Sequence, residues 1–138
     1  MSPMRLAAAL LAFVALVAAC GPRSLFDGPP IALSNATSTT HSDYTGTQPK
    51  IELVKNGEHW TLTAYEGQQS TGGHAIAIER MTTHGTVLYV RARFTVPARD
   101  IPVSQVMTSP AFRVDLPFAP DAVLLFDQDE HERARLDR

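Results

Sequence analysis

Chemistry in this chain would have to come from five histidines, a serine beside a glycine pair, or one acidic run. His41, His59, His74, His84 and His131 are scattered, and none sits in the His-Glu-x-x-His spacing that places two imidazoles around zinc. Ser70 lacks the Gly-x-Ser-x-Gly frame of a nucleophile elbow, so nothing local activates its hydroxyl. Asp127-Gln128-Asp129-Glu130-His131 begins like a calcium loop, but Glu132 stands at the sixth position and Arg138 at the twelfth. The tight-turn glycine and the bidentate glutamate are both missing. A non-catalytic chain is therefore expected, with no metal, no cofactor and no small-molecule substrate.

The most distinctive stretch is Ser70-Thr71-Gly72-Gly73-His74, set between two alternating apolar runs. Adjacent glycines allow positive φ or a close backbone approach that a side chain would block. A loop pinned by strands on both sides is a common place for binding function.

Net charge narrows the partners. Twelve Lys and Arg oppose 14 Asp and Glu, a formal charge of −2, and no basic patch is present. Nucleic-acid binding has no electrostatic footprint here.

The start of the chain reads as an export signal over 1–19, with Arg5 followed by the apolar stretch Leu6–Ala19. That stretch falls short of the ~20 apolar residues a membrane span needs. It ends in Leu16-Val17-Ala18-Ala19-Cys20-Gly21, which resembles a bacterial lipoprotein lipobox. The resemblance implies acylation of Cys20 and cleavage before it. Two or three acyl chains hold a protein to a bilayer, whereas one binds only marginally. Cys20 is the only cysteine, so no intrachain disulfide can form and the fold must rest on burial. Gly21 in place of an aspartate fits an outer-membrane position facing the periplasm better than an inner-membrane one.

Residues 20–50 are rich in Ser, Thr, Gly and Pro and read as the lipidated cysteine and a flexible tether. About 30 such residues would reach ~100 Å fully stretched. A β domain is expected over 51–127. Asn56-Gly57 lies between two alternating runs and predicts a hairpin with a type I′ turn. Alternation continues through Ala75–Glu79 and Thr86–Phe94, where Leu88, Val90, Ala92 and Phe94 share a face. Val103–Thr108, Phe112–Leu116 and Val123–Phe126 complete six or seven short strands, while 128–138 reads as a solvated charged tail. The expected fold is all-β, a small antiparallel sandwich or a partly open barrel.

Three stretches, Ala64-Tyr65-Glu66-Gly67, Ser70–Ile78 and Gln105-Val106-Met107-Thr108-Ser109-Pro110, together resemble the PrcB-like family. These are C-terminal domains of bacterial protease-complex lipoproteins. The chain departs from the family pattern at His74, where a tyrosine is usual, and at Gln69-Ser70, which replace Arg-Pro. The resemblance implies a module that binds or stabilises a protease or protease complex in the cell envelope. It makes Thr71, Gly72, Gly73 and His74, with Thr108, Ser109 and Pro110, the candidate partner contacts. A more distant similarity to chagasin-type inhibitors offers a protease inhibitor as the alternative, and a purely structural envelope lipoprotein is a third reading.

Overall fold

A computed structural model describes residues 24–138; the export signal and Cys20 lie outside the described residues. Eight strands follow in order: β1 (Ser34–Thr39), β2 (Lys50–Asn56), β3 (His59–Tyr65), β4 (Ala75–His84), β5 (Val87–Thr95), β6 (Ala111–Leu116), β7 (Ala122–Phe126) and β8 (Glu132–Asp137). They form two four-stranded sheets, ordered β1-β6-β3-β2 and β4-β5-β7-β8. The sheets do not close into a barrel, so the open sandwich is the form the expected all-β fold takes.

Period-two alternation builds the core. On β3, Leu62 and Ala64 are buried, and on β5 the expected set Leu88, Val90, Ala92 and Phe94 turns inward. These meet Ile51, Phe112, Val114 and Leu116 from the first sheet and Ile76, Met81, Val123 and Leu125 from the second. Successive side chains on a strand point to opposite faces, so each strand commits one face to this layer.

The β2–β3 hairpin forms where the sequence placed it, but Asn56 pairs with His59 and leaves Gly57-Glu58 as the loop. Positive φ occurs only at Gly57 (67°), the first loop position, as in a type II′ turn rather than type I′.

Five further expectations are corrected. There are eight strands, not six or seven. The tether reading fails over Ser34–Thr39, which pairs with β6 as β1; all six of its residues are exposed, so no apolar alternation announced it. The tail contains β8, which pairs with β7 and packs Ala134 and Leu136 against the core behind its charged residues. Val103–Thr108 is not a strand and makes only an isolated bridge at Thr108. The sandwich is also not wholly antiparallel, because β5 and β7 run parallel, from Val87↔Ala122 to Arg91↔Phe126.

Candidate functional site

The connection from β3 to β4 is fastened at intervals from Glu66 to Gly72. Glu66 N–H donates to Pro110 O at 2.9 Å, and Gln68 N–H to Gly46 O at 2.8 Å. Gly67 has φ of +104°, and a Cβ there would sit 2.6 Å from Thr47 O, so the chain accepts no side chain at that point. Gln69 and Thr108 exchange both backbone hydrogen bonds, at 2.8 and 2.9 Å. The Thr108 hydroxyl donates to Thr71 O at 2.9 Å, and Gly72 N–H to Ser104 O at 2.8 Å.

The two expected contact loops therefore come together, but with different exposure. Gly73 is exposed, while Thr71, Gly72 and His74 are partly covered. Gly73 has φ of +85°, and a Cβ would lie 2.8 Å from Pro97 Cβ, so this glycine is required by both backbone and space. Thr108, Ser109 and Pro110 are buried. Ser109 N–H donates to Thr40 O (2.8 Å), its hydroxyl to Tyr44 O (2.7 Å), and its carbonyl accepts Ser42 N–H (2.9 Å). As folded, these three residues are buried and latch the β3–β4 connection to the 40–44 segment, below the surface of the loop assembly.

The surface instead belongs to residues the sequence reading passed over. Val96, Ile101, Val106 and Met107 are 67%, 62%, 59% and 57% exposed, on the segment that folds beside the Thr-Gly-Gly loop. Pro97 and Pro102 fix its backbone locally, and few regular hydrogen bonds run through it. The available signal was the cluster Ile101, Val103, Val106 and Met107, without strict alternation and interrupted by Pro102, Ser104 and Gln105.

Residues 61–117 match the PrcB C-terminal family model. The resemblance in the Thr-Gly-Gly and Gln105–Pro110 elements is borne out by that match, which covers less than half of the 138 residues. No curated protein and no solved structure matches the chain. The matched stretch supplies most of β3 and all of β6 to one sheet and β4 and β5 to the other, together with the loop assembly just described. β1, β2, β7 and β8 complete both sheets from outside it.

Within the matched stretch, buried Glu66 lies beside the partly covered His74 at the two ends of the β3–β4 connection. Glu66 Oε1 lies 3.8 Å from His74 Nδ1, with the side chains 6% and 16% exposed. Glu66 Oε2 and His74 Nδ1 have no hydrogen-bond partner among the described residues. Burial pushes the Glu66 carboxyl up to about 7, against the opposing charge of Arg133. No local sequence signal marks this pair, because its surroundings come from residues remote in the chain, Pro110 and Arg133 among them.

The acidic run at 127–131 has a structural explanation. Ligand atoms of Asp127, Asp129 and His131 lie within 4.8 Å of one another. However, Asp127 Oδ1 accepts the N–H groups of Asp129 (2.9 Å) and His131 (3.0 Å), and Oδ2 accepts from Arg133 (3.4 Å). The carboxylate thus closes the β7–β8 turn, in which Glu130 adopts φ of 62°.

Proposed function

We propose that this chain is a non-catalytic, lipid-anchored protein-binding module of the bacterial envelope that associates with a protease or protease complex. The observation that carries the reading is a coincidence of position. The PrcB C-terminal match spans both the braced Thr71–His74 loop and the segment exposing Val96, Ile101, Val106 and Met107. Exposed apolar side chains beside a braced loop are what a protein partner can bury. The contact set we put forward is Thr71, Gly72, Gly73 and His74 with those four apolar residues. Anchorage is assigned to acylated Cys20, with the outer membrane facing the periplasm as the location.

The test is a crosslinking pull-down from the native envelope with the full lipoprotein, run beside a Val106→Asp/Met107→Asp double variant. Both side chains are exposed, so the variant should keep its thermal stability. Enrichment of a protease with the wild type and its loss with the variant supports the reading. An unchanged partner set contradicts the contact assignment, and absence of any protease contradicts the function. If the enriched protease slows stoichiometrically on binding, the inhibitor alternative takes over.

A further inference from the structure

The segment before β1 is strapped across the outer face of the second sheet. The Ser24 hydroxyl donates to the Glu130 carboxylate in the β7–β8 turn. Phe26 is 3% exposed, edge-on to Phe126 (5.8 Å) and Tyr89 (6.4 Å), with the Arg91 guanidinium 5.2 Å from its ring centre. Leu124 and Val87 complete this second apolar cluster. Further along, Arg80 donates from Nε to Phe26 O (2.9 Å) and from Nη2 to Gly28 O (2.8 Å). The Thr82 hydroxyl donates to Pro29 O (3.1 Å), and Ile31 N–H to Met81 O (2.9 Å). The strap therefore runs from the β7–β8 turn, over β5 and β7, to the edge strand β4. Burial of the Phe26 ring removes its apolar surface from water, so this is a docked segment and not free linker.

We propose that the strap holds the domain directly on the bilayer, with the β7–β8 turn and the outer face of the second sheet toward the lipid headgroups. This rests on the acylation of Cys20 in the reading above. Only the peptide units from Cys20 to Ser24 remain as leash, about 14 Å at full stretch, instead of the ~100 Å a tether through residue 50 would allow. That leash is comparable to the ~13 Å radius of gyration of a domain this size, so the attachment side cannot turn away from the membrane. Charge does not set the orientation. Arg91 and Arg93 both engage Glu79, Arg91 also meets Glu130, and Arg135 engages Glu132. Arg80 is held by the strap carbonyls, and with Arg91, Arg93 and Arg135 paired to carboxylates this face offers little attraction to anionic lipid. A partner is then met within a domain's width of the bilayer.

The test uses the acylated full chain in phosphatidylethanolamine/phosphatidylglycerol vesicles, with a spin label at Asp129→Cys or at Val54→Cys. Asp129 is exposed in the β7–β8 turn, and Val54 is 57% exposed on β2 of the opposite sheet. Relaxation by a nickel-chelating lipid should be several-fold stronger at 129 than at 54, and unchanged by added salt. A Gly/Ser insertion of about 30 residues between Arg23 and Ser24, with an r.m.s. reach of ~30 Å, should bring the two labels toward equality. Equal relaxation in the native protein overturns the proposal while leaving anchorage intact. A difference that survives the insertion also overturns it, because the face would then bind lipid by itself. Failure of the wild type to float with vesicles overturns the anchored reading, and this proposal with it.

Discussion

Two carboxylates are buried in this molecule to nearly the same degree, Glu66 at 6% and Asp127 at 7% exposure, and they behave in opposite ways. At Asp127, burial works to raise the pKa, but the N–H groups of His131 and Asp129 and the Arg133 guanidinium outweigh it and the pKa is lowered. At Glu66, the same desolvation meets no donor on Oε2, and the carboxyl rises to about 7. Arg133 serves both, as a hydrogen-bond donor to one and a more distant charge to the other. Burial alone does not decide ionisation; the donors placed around the group do. One carboxylate closes a turn. The other lies at the start of the β3–β4 loop assembly with no hydrogen-bond partner for Oε2 among the described residues.

Breaking the satisfied side of that comparison should have the largest effect. Asp127→Ala removes the acceptor of two backbone N–H groups and Arg133, and should lower unfolding free energy by about 3 kcal/mol, read from denaturant midpoints at neutral pH. Its stabilisation is present above the ordinary aspartate range and is lost as pH falls through the lowered pKa.

Glu66 carries the opposite sign. Its folded pKa lies above the unfolded value of 4.5, so the folded state holds the proton more tightly. The stability that gives is full below pH 4.5 and lost as pH rises through about 7. Glu66→Gln should therefore match the wild type at pH 4 and exceed it at pH 8 by on the order of 2 kcal/mol. An equal midpoint difference at both pH values would sink the claim that Glu66 titrates in the fold. Replacing the shared cation sharpens the contrast: Arg133→Met should raise the Glu66 pKa further, measurable by NMR titration of its side-chain carboxyl.

The smallest stability change belongs to the surface. Val106→Asp should shift the unfolding free energy by no more than about 0.5 kcal/mol, since its side chain is mostly in water. Thr108→Ala, one residue beyond Met107, loses the hydroxyl bond to Thr71 O and should cost about 1 kcal/mol. That pair separates a proposed contact residue from a latch residue within one short segment.

The legible part of this fold was the part with period-two burial. β3 and β5 announce themselves through Leu62/Ala64 and Leu88 to Phe94, and the Asn56-Gly57 signal located the hairpin to within one residue. β1 was hidden because all of its side chains face solvent, so only its backbone pairing with β6 makes it a strand. β8 was hidden because Ala134 and Leu136 alternate with charged residues that read as a tail. Phe26 looked like a stray apolar residue among Pro and Gly, since the cluster that receives it comes from Tyr89, Leu124 and Phe126, far along the chain. At the candidate site, Thr71–Gly73 were legible from glycine chemistry. Glu66 was not, because orphaned burial is a property of three-dimensional neighbours.

The most direct test of the partner-binding account is position-specific photo-crosslinking in the native envelope. A photoreactive residue at Val106 should capture a protease or protease-complex protein, while the same residue at Val54 on the exposed side of β2 should capture none. Capture from Val54 and not from Val106 would contradict the assignment of the contact surface, and capture of no protease from either would contradict the function itself.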